Sequence, residues 1–541
     1  MVYRINIQNK KQYIFYIVFA VLSFTLMLYY LSDTVIHFTT DRQFPINSFS
    51  KYPLTIFIFP AEVFSFLFGM YFVYVLLVDK YRIKKPENLK DKKNIAVAVL
   101  LPVYNEPREI IERTLKACKK LIWDGEVKIY LLDDSTKPNY KKIVDELAHK
   151  YGSSVVRRGN RDGYKAGNIN NAIKNSIRED YFVIFDADQA PMDNFLIDTM
   201  DNFSDVEVGF VQTPQHFINN NSILERAVKI GTDIFYRAQS ATKAKDNAIP
   251  FCGTNLVVRA KAFKAVNGFS YYTATEDIDL GIRMNQMGYK GAYVPKILAH
   301  GVSPSDFKSY SSQQYRWSNG NLAILREYWY KILGGNFPLL YKTHMFFTVG
   351  WWLIGLVSLI YIVVPILSIL FGIGTHHTWL PTEVFYFLFV YVLFGISLIY
   401  VSLKGRVEGD DVRFSDALIQ YSLIVNSFLI YSRAAINSLL FKRYIGFVTT
   451  DKTSSLGAPE ANKKEKSLKK GMWKNSGLSQ IKWNLFLGMI CFGFAVYTLY
   501  FAMISVDLVQ FRTYFPISLW LLFYSIILFS SILFVGNRRN E

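Results

Sequence analysis

With 541 residues, the chain has room for one sizeable globular domain and a membrane region. It is 51% hydrophobic and 16% aromatic with a positive mean hydropathy, which sets it apart from ordinary soluble proteins. Its formal charge of +18 points away from nucleic acid, because Lys and Arg cluster beside the apolar runs, and the scattered Cys118, Cys252 and Cys491 suit a reducing cytosol and exclude a disulfide framework or a cysteine zinc site.

From the N-terminus, Tyr13–Leu31 is an uncharged apolar run long enough to cross a bilayer. It is too long for a signal peptide and lacks a small-residue cleavage site, so it reads as a retained helix. Leu54–Val78 is a second span, with Glu62 as its one ionisable residue. A carboxylate within a span is costly. Glu62, near the outer end, reads equally as a channel-lining group or as one snorkelling to interfacial water. Arg4, Lys10 and Lys11 before the first run, and Lys80, Arg82, Lys84 and Lys85 after the second, place both flanks in the cytoplasm.

Between Asn94 and about Pro338 the pattern changes to short β runs alternating with helix-like stretches such as Glu109–Lys120. Ile95–Pro102, Val127–Leu132, Tyr181–Phe185 and Val208–Gln212 read as buried parallel strands of an α/β nucleotide-binding domain. Polar motifs follow the strands: Tyr104-Asn105-Glu106, Asp133-Asp134-Ser135 and Asp186-Ala187-Asp188. A D-x-D at a strand end can hold a hard divalent cation, which takes oxygen ligands and neutralises charge on a departing diphosphate. Downstream stand Thr275-Glu276-Asp277, at the start of a helical stretch, and Gln313-Gln314-Tyr315-Arg316-Trp317. Sugar transfer needs a carboxylate base for the attacking hydroxyl, cations against the leaving diphosphate and an aromatic platform for the acceptor sugar.

Four more clean spans follow: Phe346–Phe371, Val384–Leu403, Trp483–Val506 and Tyr514–Gly536. Lys404 and Arg406, and then Arg538 and Arg539, fall on the cytoplasmic side. Phe414–Leu440 is also apolar, but it carries Asp416, Gln420, Asn426, Arg433 and Asn437. Counting it as a span puts the Lys-rich stretch Lys463–Lys474 outside, so it is expected to lie along the interface. Six spans with both termini inside is the consistent topology.

The series YNE, DDS, DAD, TED and QQYRW, flanked by apolar runs, resembles the processive membrane synthases of glycosyltransferase family 2, and among them the cellulose synthases most closely. The resemblance covers roughly residues 50–460. It implies a GT-A-like cytosolic domain at 94–337. The membrane regions would be 1–93, 338–411 and 483–541, with an interfacial helix and gating loop at 412–482. Lys165, in a stretch like the family's K-A-G-N segment, is implied near the donor diphosphate. Cys252, in an F-C-G-[ST]-like element, is implied near the acceptor as a positioning residue rather than a nucleophile. Asp134 is implied at the uridine, with Tyr104 and Glu106 near the base. Asp186 and Asp188 would hold the donor and a Mg2+ or Mn2+ ion, with Asp188 as the more direct ligand. Asp277 would be the catalytic base, with Glu276 on the acceptor side. Gln313, Arg316 and Trp317 would bind the diphosphate and the acceptor sugar. Phe447, Thr450 and Lys452 match a gating loop that hyaluronan-type synthases are not expected to carry there, with Thr449 in place of the usual Val.

The implied function is inverting polymerisation of UDP-glucose into a β-glucan, with export through the protein's own helices in the plasma membrane. Hyaluronan, chitin or mannan synthesis, single transfer to a lipid and a non-catalytic channel or scaffold are the alternatives. Expected partners are the UDP-sugar donor, the growing polysaccharide, the bilayer, and accessory export subunits or further copies of the chain. Two departures stand out. Gln189 follows the D-x-D where cellulose synthases often have His, and the chain ends too soon after its last span for a cyclic-di-GMP-binding domain.

Overall fold

The apolar runs of the middle domain alternate their side chains between two cores. In β1 (Val97–Val103), Val97, Val99, Leu101 and Val103 enter one core, while Ala98 and Leu100 enter the other. That is the period-2 signature of a strand buried on both faces. The computed structural model describes residues 53–77, 86–372, 413–442, 478–505 and 508–535, with a few isolated positions elsewhere.

The strands continue as β2 (Val127–Asp133), β3 (Ser154–Val156), β4 (Tyr181–Ile184), β5 (Ala190–Pro191), β6 (Val208–Gln212), β7 (Leu256–Arg259), β8 (Lys290–Tyr293) and β9 (Ala299–His300). Seven of them form one sheet in the order β3-β2-β1-β4-β7-β6-β8, and β5 pairs with β9 separately. The four expected strands do run in one direction. Between β4 and β6, however, sits β7, antiparallel to both and too short to stand out in the sequence.

Helices of more than six residues are numbered in chain order. After α1 (Thr55–Leu77) come α2 (Arg108–Cys118), α3 (Pro138–Tyr151), α4 (Tyr164–Asn175), α5 (Ile223–Asp233), α6 (Glu276–Gln286) and α7 (Phe307–Gly334). In α2, Ile110, Ile111, Thr114, Leu115 and Cys118 are buried, the spacing of a single helical face. Together with α3 it covers one side of the sheet, while α4 and α6 cover the other. The product is a three-layer α/β domain.

The later helices are α8 (Leu339–Gly350), α9 (Ile354–Phe371), α10 (Phe414–Asn426), α11 (Phe428–Ala435), α12 (Leu478–Ile504) and α13 (Leu508–Phe529). Among the described residues, five helical stretches are long and apolar enough to cross a membrane: Thr55–Phe72, Leu339–Phe371, Phe414–Leu440, Ile481–Ile504 and Tyr514–Phe534. The expected spans Tyr13–Leu31 and Val384–Leu403, the stretch Lys463–Lys474, and Phe447, Thr450 and Lys452 lie outside the described residues. Residues of α1, α9, α10, α11, α12 and α13 share one apolar core, and the indole of Trp520 donates to the carbonyl of Tyr361 at 2.8 Å.

The polar residues of Phe414–Leu440 are mostly spent inside the protein. Asp416 pairs with Arg226 of α5 at 2.7 Å, Asn426 donates to the carbonyl of Ile527 at 2.9 Å, and Asn437 donates to the Tyr315 hydroxyl at 2.6 Å. Glu62 is also buried rather than snorkelling, at 2% exposure. A polar clamp ties this frame to the α/β domain: His344 of α8 bonds the Tyr71 hydroxyl at 3.0 Å and the Asp246 carboxylate at 2.9 Å.

Candidate active site

The sheet brings the motifs to one edge. Asp133 ends β2 opposite Val103 of β1, so the YNE and DDS turns are neighbours. They are laced together: the Asn105 N–H donates to Ser135 Oγ at 3.0 Å, and Asn105 Oδ1 accepts from the Thr136 N–H at 3.1 Å. The Tyr104 N–H donates to the Glu106 carboxylate. Each Asp of the pair holds an Arg from the loop after β3. Arg157 Nε meets Asp133 Oδ2 at 2.7 Å, and Arg158 grips Asp134 bidentately at 2.9 and 2.6 Å.

On the other side of β1, β4 ends at Ile184, and Asp186-Ala187-Asp188 begins two residues later. Because β7 is antiparallel, its first residue, Leu256, sits beside Ile184, the last residue of β4. The Phe251-Cys252-Gly253-Thr254 segment therefore reaches the same edge from the opposite chain direction. Thr254 Oγ1 accepts from the Asp186 N–H at 2.9 Å. Lys165, in the first turn of α4, bridges the two with Asp186 Oδ1 at 2.5 Å and the Gly253 carbonyl at 2.9 Å. Burial works to lower the Lys165 pKa, but Asp186, then Glu276 and Asp277, outweigh it and hold the ammonium charged.

Glu276 and Asp277 open α6, and Asp277 Oδ1 accepts the Ile278 N–H at 2.9 Å. Gly253, at φ 72°, passes so close that a Cβ there would stand 3.0 Å from Asp277 Oδ2. Burial raises the pKa of both carboxylates; Asp277 raises that of Glu276 further, while Lys165 and Arg316 pull both back. Arg316 is lowered by burial and restored in part by Glu276, Asp186 and Asp277, which places its charge among all three. Helix α7 carries Arg316 into position by packing tightly on the TED turn. The Gly320 carbonyl accepts from Thr273 Oγ1 at 3.1 Å, and a Cβ at Gly320 would collide with Thr275.

From this cluster a cavity of about 450 Å³ runs into the apolar helices. Cys252, Thr275, Asp277 and Trp317 line its domain end, and Phe68, Trp351, Tyr431 and Trp520 line it among the membrane helices. Gln314 rather than Gln313 faces the cavity, its Oε1 accepting from the Tyr431 hydroxyl at 3.1 Å. Cys252 is a bystander in proton chemistry. Burial and then Asp277 push its thiol up to about 12, and its N–H donates to Gln212 Oε1 at 3.0 Å. Gln189 is buried, accepting from Asn255 Nδ2 at 3.0 Å, so the departure at this position is absorbed inside the fold.

Several participants carry no obvious sequence signal. Arg113 of α2 donates to the carbonyls of Asp188 at 2.5 Å and His300 at 3.2 Å. The fully buried Asp279 accepts from Ser270, Tyr272 and Tyr328 and pairs with Arg283, anchoring α6. A π-helix, Ile234–Ser240, supplies Phe235, Tyr236 and Gln239 to the cavity wall.

The donor set fits a divalent cation shared with a ligand. Among the described residues, no three His, Cys, Asp or Glu side chains enclose a metal site. Asp186 and Asp188 instead offer oxygen-only ligands one residue apart, the arrangement of an ion completed by substrate phosphates.

Residues 181–403 match the glycosyl transferase family group 2. The chain is 34% identical over 248 residues to the probable glucomannan 4-beta-mannosyltransferase 11 of Oryza sativa, covering 44% of this chain and 43% of that protein. It is 28% identical over 298 residues to the UDP-forming cellulose synthase catalytic subunit of Pseudomonas fluorescens, covering 52% and 38%. The chain thus spans less than half the length of these curated relatives. In fold it is similar to the mannosyltransferase PcManGT of Pyrobaculum calidifontis, solved with GDP-Man and Mn2+, with 16% identity, a TM-score of 0.50 and coverage of 72% of this chain and 100% of that one. Residues 181–403 thus match a family 2 glycosyltransferase domain, the fold around them is GT-A-like, and the chain is similar in sequence to cellulose and glucomannan synthases, with long apolar helices flanking the domain.

Proposed function

We propose that the chain is a processive, inverting polysaccharide synthase that passes its product into its own membrane bundle. The observation that carries this reading is the cavity joining Asp277 and Trp317 to an aromatic wall between the apolar helices. Rings there offer faces to the C–H surfaces of sugars, while Gln314, Ser65 and Thr348 offer hydrogen bonds to hydroxyls.

Asp277 takes the proton as the acceptor hydroxyl oxygen bonds to the donor's anomeric carbon. The bond from that carbon to the phosphate oxygen breaks, and the electron pair leaves with the nucleoside diphosphate. Direct displacement inverts an α-linked donor, so the product linkage is β. Arg316 and Lys165 stabilise the leaving diphosphate, and Trp317 seats the acceptor sugar. Asp186 and Asp188 would hold Mg2+ or Mn2+, which supplies further neutralisation of the diphosphate.

The donor proposed is UDP-glucose and the product a β-glucan, supported by the motif series, the cellulose synthase relatives and the match of Phe447, Thr450 and Lys452 to a gating loop. GDP-mannose is the second reading, because several relatives are named glucomannan mannosyltransferases. The proposed setting is the plasma membrane, with the α/β domain and both termini cytoplasmic. Purified protein in lipid nanodiscs, given radiolabelled UDP-glucose or GDP-mannose with either metal, decides the matter. A long polymer cut by β-glucanase supports the first reading and a mannanase-sensitive one the second. Absence of diphosphate release from both donors sinks the function.

A further inference from the structure

Three arginines follow β3 within five residues, and two are neutralised. Arg157 pairs with Asp133 and Asp145, and Arg158 with Asp134. The third, Arg161, has no ion-pair partner among the described residues. Its guanidinium carbon lies 3.7 Å from the centre of the Tyr104 ring and 5.8 Å from that of Tyr164, and its Nε is buried without a hydrogen-bond partner. A planar cation thus occupies one face of the ring that the family resemblance implies near the nucleobase.

The loop bearing it is held by the base-side network. Arg158, while gripping Asp134, also donates to the carbonyls of Asp162 at 2.6 Å and Tyr164 at 2.7 Å. Gly163 and Tyr164 take the left-handed conformation, at φ 67° and 46°, as the chain turns into α4. The next residue, Lys165, reaches Asp186. The loop therefore stands between the base side and the diphosphate side of the site.

We propose that Arg161 is a nucleobase-recognition residue. The guanidinium stacks on Tyr104, and a bound base would take that face with the guanidinium covering its other side. A guanidinium suits this task because it is flat, weakly hydrated and fringed with N–H donors for a base carbonyl oxygen, which uracil and guanine both carry. Lysine, a compact and strongly hydrated charge, cannot replace it. The inference rests on the reading of Tyr104 and Asp134 as base-side residues.

The test is calorimetry on the full-length protein in nanodiscs with UDP, GDP and inorganic pyrophosphate, each with Mg2+. For whichever nucleotide the wild type binds more tightly, Arg161→Ala is expected to weaken binding about tenfold, the scale of one lost base stack. Pyrophosphate affinity should stay within about twofold and doubles as the check that the variant is folded, while Arg161→Lys should behave like the alanine variant. An equal loss for pyrophosphate would make Arg161 a phosphate ligand and overturn the proposal, as would unchanged nucleotide affinity. If the wild type binds pyrophosphate but neither nucleotide, the base-side reading itself fails; if only the variants behave as wild type, that reading survives and this inference alone falls.

Discussion

The site has two groups of carboxylates that the fold treats in opposite ways. In the first group, Asp133, Asp134 and Asp186 are each matched to a cation within 2.7 Å by Arg157, Arg158 and Lys165. In the second, Glu276 and Asp277 share buried surroundings and Arg316, and burial raises both pKa values. Paired carboxylates hold a loop in shape. A carboxylate whose burial outweighs its partners is poised to exchange a proton near neutral pH.

Replacing Asp277 by Asn removes the proposed base and leaves the paired group intact. Turnover should fall by about 10³- to 10⁴-fold, measured as nucleoside diphosphate release, with calorimetric nucleotide affinity retained. Near-normal polymerisation would move the base to another residue. The opposite experiment breaks the paired side. Arg158→Ala strands Asp134 where both side chains are only 6% exposed, so unfolding in denaturant should show a loss of about 3 kcal/mol. A loss of only a few tenths would mean that the pair is incidental.

The pH profile separates the two groups without mutation. As the proposed base, Asp277 would work deprotonated, so the rate should fall about tenfold per pH unit below its raised pKa, well above the ordinary carboxylate range. The stability term has the opposite sense. Between the ordinary and raised pKa values the native state holds more protons than the unfolded chain, so this pair contributes stability that is lost as pH rises through that window. A profile that breaks at an ordinary carboxylate value would remove Asp277 from the role.

Gly253→Ala tests the contact between the groups. The left-handed backbone and the 3.0 Å approach to Asp277 should cost about 1–2 kcal/mol, seen as a drop of about tenfold in kcat with little change in nucleotide affinity. The smallest effect is expected at Cys252. Its thiol is held protonated, so Cys252→Ser should stay within about twofold of wild-type turnover and thiol alkylators should react slowly.

Much of this arrangement was legible in the sequence. Period-2 runs ending in Asp or polar turns identified β1, β2, β4 and β6, and the apolar runs identified the membrane frame, because both signals are local. Two features were not. The antiparallel β7 has only Leu256–Arg259 to announce it, yet it alone explains why FCGT, which precedes a strand, meets DAD, which follows one. The polar residues of Phe414–Leu440 suggested a wet face, whereas most are satisfied by Arg226, Ile527 and Tyr315.

By itself, then, the sequence determined which groups of atoms are available: the acids, the cations, the aromatic platform and the apolar helices, all readable from composition and spacing along one segment. Only the tertiary structure decided which acids are neutralised and which are not. That depends on partners from distant segments, as with Arg158 on Asp134 or Arg316 among Glu276, Asp186 and Asp277. Charge pairing and burial are properties of three-dimensional neighbourhood, and a carboxylate's chemistry follows from them rather than from its place in the chain.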